Sequence, residues 1–339
     1  MHWPAAPFLL IEAMIEKSFW HPVGKLQDLV GGPHALVLLG EDVVVWQNAG
    51  GAFQAWVDRC PHRGTKLSMG KVNDDRLECA YHGWQFDTTG QCKAIPALPD
   101  FVPPAGQRAC TFQTREAYGL LWVQMVKDVR AVPQFTAEHD TRLRKVNCGP
   151  YAVNASAPRI VENFLDLSHF AFVHEGWLGT RASVSVPHYD VTPTPTGVLA
   201  TGCKAVQPRS SVHATGNAVV EYTYEVVSPY AAVLTKVPEP GTTAVADLRE
   251  SIALFVCPVT PETSVVWIRM AMNDFASPDQ KLMDFQDIIF GQDQPILESQ
   301  TPKCLPLLKG AELHCAADRM SVAYRQFLMD TGITFGVTS

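Results

Sequence analysis

Residues 60–84, CPHRGTKLSMGKVNDDRLECAYHGW, hold two cysteine–histidine pairs, Cys60 with His62 and Cys79 with His82. The pattern is Cys-x-His, sixteen intervening residues, then Cys-x-x-His. Such thiolates and imidazoles at the tips of two β-loops suit a metal. A tetrahedral zinc ion accepts these ligands, although a zinc finger usually shows paired Cys-x-x-Cys or His-x-x-x-His half-sites. The other seven cysteines, at 92, 110, 148, 203, 257, 304 and 315, are thinly spread. An odd total over a long chain reads as buried thiols, not a disulfide framework.

One Cys and one His in each loop match a different centre. In a Rieske [2Fe-2S] cluster one iron takes two cysteines and the other two histidines, so each loop supplies one of each. The flanking residues agree: Pro61, Arg63 and Gly64 complete CPHRG, and Gly83 and Trp84 close CAYHGW. Trp84 reads as a shield over the cluster or, equally, as a packing aromatic.

The whole chain sets the bounds. With 339 residues, 47% hydrophobic and 18% charged, it is long enough for one large domain or two ordinary ones, and a disordered or fibrous chain is excluded. A net charge of -7 offers no broad basic field for nucleic acid or anionic lipid. Small molecules and proteins are the expected partners. The longest N-terminal apolar run, Phe8 to Ile11, stops at Glu12, far short of a membrane span. With no secretory leader pattern, the expected location is cytoplasmic.

Two regions separate along the chain. Residues 1–130, with a core at about 19–126, alternate short β-forming runs with Gly, Asn and Asp turns and read as an all-β module. A Pro-rich strip at 95–106 reads as an ordered surface loop. Residues 131–339 form the second region, whose first helical signal is APRIVENFLDLSHFAFVH. β-like stretches such as AVVEYTYEVV and SVVWIRMAM follow, with helical text from about Ser277.

A Rieske cluster passes electrons but selects no substrate, so the chemistry moves to this second region. Asn163, Asp166 and His169 fall at successive i, i+3 steps, which predicts one stripe of a helix. His174 lies five residues past His169, about 140° round a regular helix, so the helix must bulge or end for the two imidazoles to meet. Two histidines and a carboxylate form the facial triad of mononuclear non-haem iron, with positions left for dioxygen. Read alone, these residues are equally a hydrogen-bonded core histidine and a solvated polar face.

Together, CPHRG, CAYHGW and NFLDLSHFAFVH make the chain resemble the oxygenase α-subunits of Rieske non-haem iron oxygenases over essentially its full length. The resemblance implies an α+β fold: an all-β Rieske domain and a helix-grip-like catalytic domain, its antiparallel sheet wrapping iron-binding helices. It implies His169, His174 and a late carboxylate as ligands of Fe(II), with O2 as co-substrate. GQDQPILESQTP places Asp293 in the carboxylate position, with Asp284, Asp287 and Glu298 as competitors and Pro295 expected to kink or interrupt the helix. Asp166 would bridge His169 to His82 of a neighbouring subunit, which implies a head-to-tail ring, a homotrimer. Asn163 would lie near the iron. Electrons would come from NAD(P)H through a separate reductase, with or without a ferredoxin, since no Gly-x-Gly-x-x-Gly follows a strand.

Segments HFAFVHEGWLG and YRQFLMDTGITFGV are similar to saxitoxin-type alkaloid hydroxylases, and FWHPV and PILESQ to methylxanthine N-demethylases. They imply monooxygenation, either C–H hydroxylation or oxidative O- or N-demethylation, of a small aromatic or alkaloid-like substrate. The substrate pocket is expected within 176–270. Aromatic-ring cis-dihydroxylation is the alternative oxygenase reading. A Rieske electron carrier would leave the second region without a task, and a zinc-stabilised binding module would be colourless. A hydrolase built on Asp166, Ser168 and His169 lacks a Gly-x-Ser-x-Gly elbow. His2, His21, His34, His139, His188, His213 and His314 are read as structural or surface residues.

Overall fold

The computed structural model describes residues 14–245 and 247–338; His2 and the apolar run at 8–11 lie outside the described residues. Two compact units divide between Val132 and Pro133. The first is all-β. Strands β1 (His21–Lys25), β2 (His34–Leu38), β3 (Glu41–Gln47) and β4 (Phe53–Val57) come first. A small antiparallel sheet follows, of β5 (Lys71–Asn73), β6 (Arg76–Glu78), β7 (Gln85–Asp87) and β8 (Cys92–Ala94) in sequential order. Then β9 (Thr111–Ala117) and β10 (Leu120–Gln124) complete a six-stranded antiparallel sheet ordered β1-β10-β9-β4-β3-β2.

Strand β3 reads EDVVVWQ, and its β-branched and aromatic residues fit a pleated, buried surface. Trp46 meets Trp56 of β4 edge to face at 5.1 Å between ring centroids, a geometry that adds about 0.5–1.5 kcal/mol to area burial. Around this pair pack Leu67, Leu77 and Phe86 together with Cys60 and Cys79. The two cysteines therefore sit in the hydrophobic core of the unit.

The second unit contains β11 (Arg144–Val153), α1 (Ala157–Leu165), α2 (Phe170–Val173), β12 (Asp190–Thr194), β13 (Gly197–Gln207), β14 (Ala218–Ser228) and β15 (Ala231–Pro238). It continues with β16 (Glu250–Thr260), β17 (Thr263–Met272), α3 (Asp279–Ser299), β18 (Leu305–Pro306), α4 (Arg319–Thr331) and β19 (Val337–Thr338). Seven strands make one antiparallel sheet ordered β11-β17-β16-β15-β14-β13-β12. Strand β14, AVVEYTYEVVS, buries every second residue, as period-two text requires. Strand β16 is buried continuously from Glu250 to Pro258 because the sheet is covered on both faces there. Helix α1 lies against β15 and β16, α3 against β11, and α4 against β12 and β13. The α+β architecture expected from the sequence is the one found. Among the described residues, no helix is long and apolar enough to cross a membrane.

Two local expectations need correction. Asn163, Asp166 and His169 do not share a helical stripe, because α1 ends at Leu165 and Asp166 turns extended at φ -86°, ψ 138°. The Asp166 carboxylate takes the N–H groups of Ser168 (3.1 Å) and His169 (2.9 Å), and this local capture competes with helix continuation. The helix resumes for one turn as α2, capped by His169 at its start and His174 at its end. Pro295 does not interrupt α3, which runs on to Ser299. Its missing N–H costs one helical hydrogen bond. Gln294 offsets that by donating to the Ala152 carbonyl, while Glu298 accepts from the Asn154 N–H, tying both sides of the proline to β11 and its exit.

Candidate metal centres

The two Cys/His loops of the first unit have one backbone design. In the loop after β4, Cys60 N–H donates to the Thr65 carbonyl (2.8 Å) and Gly64 N–H to the Cys60 carbonyl (2.8 Å). In the loop joining β6 to β7, Cys79 N–H donates to Trp84 (2.9 Å) and Gly83 N–H to Cys79 (3.0 Å). Both loops thus close i to i+5 and i+4 to i. Gly64 (φ 77°) and Gly83 (φ 69°) occupy the left-handed turn each closure needs, which explains their place in the motif. Beyond the first loop, buried Asp58 accepts the Ser68 N–H (2.7 Å) and hydroxyl (2.6 Å) and holds the strand exit in place.

The donors fit a [2Fe-2S] group. Cys60 and Cys79 are free thiols, each 2% exposed. Burial pushes the Cys60 thiol up to about 12, the adjacent Cys79 sulfur adds to this, and the His62 and Arg63 backbone N–H groups pull toward the thiolate. N–H groups aimed at a buried sulfur favour its charged form, which a metal cation then completes. His62 and His82 face each other with ring centroids 4.6 Å apart, and the buried His62 Nδ1 has no hydrogen-bond partner. A buried imidazole nitrogen without a partner is the atom a metal would satisfy. Trp84 stacks flat on His62 at 4.4 Å and 6°. His82 is exposed, with Tyr81 tilted against it at 3.8 Å.

In the second unit, His169, His174 and Asp293 bring their ligand atoms within 4.8 Å of one another. Asp293 Oδ1 lies 3.5 Å from His169 Nε2 and 3.2 Å from His174 Nε2. Each imidazole is oriented through its other nitrogen: His169 Nδ1 is 2.8 Å from Asp166 Oδ2, and His174 Nδ1 is 2.8 Å from Gln292 Oε1. With Nδ1–H donating outward, both Nε2 lone pairs point at the shared position. Burial opposes the charge on Asp166, but the His169 ring and the backbone bonds from His169 and Ser168 outweigh it and hold the carboxyl below its ordinary range. Asn163 Nδ2 donates to Asp293 Oδ1 at 3.4 Å, so it touches the carboxylate. Two imidazoles and one carboxylate on one side of a point are the donor set of non-haem Fe(II).

The competing carboxylates are engaged elsewhere. Asp284 accepts from Gln280, Asp287 from the Tyr151 hydroxyl, and Glu298 from Asn154 and Gln294. Gln292 was not legible in the sequence, since a glutamine before an aspartate in a helix has no metal-site signature.

The triad forms one wall of a cavity. The sheet supplies Tyr222, Tyr224, Leu234, Lys236, Ile252, Leu254 and Ile268 to it, all within the expected 176–270 span. Helix α3 contributes Phe285, Gln286, Ile289 and Phe290, which lie outside that span. A mostly apolar, partly aromatic enclosure with a few polar groups suits a flat organic molecule.

The family model described as Rieske [2Fe-2S] domain matches residues 19–113, and the vanillate O-demethylase oxygenase C-terminal domain matches residues 153–331. Methylxanthine N1-demethylase NdmA of Pseudomonas putida is 34% identical over 324 residues, covering 93% of this chain and 88% of that one. Probable methylxanthine N7-demethylase NdmC of Pseudomonas sp. (strain TJI-51) is 39% identical over 232 residues, covering 66% and 79%. The solved structure of Pseudomonas putida CBB5 NdmA with caffeine matches with a TM-score of 0.80 at 32% identity, covering 93% and 90%.

Proposed function

The chain belongs to the Rieske non-haem iron oxygenases, and on that premise we propose that it is an oxygenase component whose reaction is oxidative N-demethylation of a methylated, planar nitrogen heterocycle. Its cofactors are a Rieske [2Fe-2S] cluster and a mononuclear iron, and it works by O2-dependent monooxygenation. The observation that carries the reading is the convergence of His169, His174 and Asp293 at the wall of the apolar cavity. The curated relatives above are named as methylxanthine demethylases, which supports the choice of an N-methyl group over an aromatic C–H bond.

In this assignment Cys60, Cys79, His62 and His82 hold the cluster, and His169, His174 and Asp293 hold the iron. When bound, the iron and cluster supply dioxygen activation and electrons: the N-methyl group, O2, two electrons and two protons give an N-hydroxymethyl group and water. The carbinolamine then loses formaldehyde, leaving a ring N–H. The chain's own residues do the rest. Asp166 and Gln292 fix the two imidazole planes through Nδ1, and Asn163 holds the carboxylate. Phe164, Phe170, Ile289 and Phe290 exclude water and confine the ring. Asp166, with its side chain 24% exposed, would accept a hydrogen bond from His82 of a neighbouring copy in a head-to-tail homotrimer. A separate NAD(P)H-dependent reductase delivers the electrons.

The test is anaerobic purification with iron, zinc and acid-labile sulfide analysis, electron paramagnetic resonance after dithionite reduction, and caffeine turnover with a surrogate reductase. About three irons and two sulfides per chain, a Rieske signal and formaldehyde release equal to substrate loss are expected. One zinc and no sulfide would overturn the assignment. Product retaining every methyl group but gaining a hydroxyl would overturn demethylation alone.

A further inference from the structure

Across three adjacent strands of the large sheet, Tyr222 of β14, Lys236 of β15 and Glu250 of β16 stand directly opposite one another. The next rung, two residues along each strand on the same face, is Tyr224, Leu234 and Ile252, and all three line the cavity. Lys236 and Tyr222 line it as well. A polar rung therefore interrupts an otherwise apolar floor.

The side chains of Lys236 and Glu250 are only 6% and 10% exposed. Burying an ammonium and a carboxylate is costly before pairing, and a hydrophobic pair of similar volume is often at least as stable. Stability alone gives no reason for this pair beside a cavity. Its geometry does. Lys236 Nζ donates to the Ser210 carbonyl at 2.7 Å and lies 2.6 Å from Glu250 Oε2, in an ion pair off the line of a hydrogen bond. An ammonium has three N–H groups, and among the described residues at least one is left without an acceptor. Lys236 lines the cavity, and its Nζ lies 6.0 Å from the ring centroid of Phe285, another lining residue. Tyr222 completes the rung, its oxygen accepting from Gln207 at 2.7 Å.

We propose that Lys236 is a specificity-determining residue that offers one N–H, its charge balanced by Glu250, to a ring carbonyl of a neutral aromatic heterocycle. The inference rests on reading the cavity as the substrate site and names the class of substrate it takes. The balance of charge decides the class. An aromatic carboxylate would bring a second anion beside the buried Glu250, where like charges repel more strongly than in water. A carbonyl oxygen meets the donor without that penalty. A ring held at this rung and stacked within the cavity has one orientation, which determines which N-methyl group faces the triad.

The test is equilibrium binding to the metal-loaded enzyme under anaerobic conditions, using caffeine (two ring carbonyls, neutral), 1-methylindole (no carbonyl) and benzoate (anionic). The double variant Lys236→Met/Glu250→Gln avoids leaving a lone buried charge. It should bind caffeine about tenfold more weakly, the worth of one buried hydrogen bond, with 1-methylindole unchanged. Glu250→Gln alone uncovers the positive charge and should gain at least about tenfold for benzoate relative to caffeine. Circular dichroism of both variants reports folding. Wild-type binding of 1-methylindole or benzoate as tight as caffeine, no caffeine binding, or unchanged caffeine affinity in the double variant would overturn the proposal. Lys236-dependent caffeine binding without formaldehyde release would sustain it and overturn only the demethylation reading.

Discussion

Gln292 offers a test of the proposed iron site that does not touch a ligand. Its Oε1 is 2.8 Å from His174 Nδ1, and His174 is 1% exposed. In Gln292→Leu the ring loses that acceptor. Without metal the variant relaxes by placing the proton on Nε2, where Asp293 Oδ1 stands 3.2 Å away to accept it. Iron must then displace that proton to Nδ1 and leave a buried N–H unpaired, at about 1–3 kcal/mol. At ~1.4 kcal/mol per decade this is about 5- to 150-fold, which brackets the 10- to 100-fold common for outer partners of metal ligands. The assay is Fe(II) titration of iron-depleted protein against a competing chelator, with the Rieske signal as internal reference. Gln292→Leu should weaken iron by about 30-fold and leave the Rieske signal unchanged, while Gln292→Glu, which keeps an acceptor, should bind near normally. Affinity within about twofold of wild type in Gln292→Leu, or an equal loss in both variants, would refute the reasoning.

Other outcomes follow from the same geometry. Asp166→Asn should retain both metal centres and lose most turnover, since the amide would weaken the proposed hydrogen-bonded path from a neighbouring copy's cluster while the ligand atoms stay; near-normal turnover would rule out that path. The Asp274 carboxyl, buried yet bound by the His213 ring and by Ser277, is held well below the usual carboxylate range. Its folded value is depressed, so its contribution is present above the unfolded value of about 3.9 and fades as pH falls below it. Urea midpoints should therefore show wild type more stable than Asp274→Asn at pH 5, with the gap narrowing by pH 3; a pH-independent gap would contradict this.

How much of this was legible depended on the range of the interactions. The Cys/His loops close within six residues each, so spacing alone carried their geometry. Period-two text announced β14 for the same local reason. The break between α1 and α2 was half visible: the distance from His169 to His174 required a bend, but periodicity could not show that Asp166 would take its neighbours' N–H groups. Pro295 argued for a kink or an interruption, yet α3 runs on to Ser299, with Gln294 and Glu298 tied to β11 and its exit on either side of the proline. Gln292 and the rung of Tyr222, Lys236 and Glu250 were invisible, because helix facing and strand register bring together residues that mean nothing side by side in text.

The two proposed metal centres also differ in how much chain each must wait for. Residues 60 and 82 are 22 positions apart, whereas 169 and 293 are 124 apart. Loop-closure entropy makes the wider span costlier by about 1.5 kcal/mol. During synthesis the cluster loops and the small β5–β8 sheet emerge together and before the second unit, while the third iron ligand arrives later, on α3. Cluster insertion can therefore begin on a nascent chain. The proposed oxygen-activating site stays incomplete until α3 follows the last strand of the large sheet, so the electron store can be in place before anything exists that could spend it.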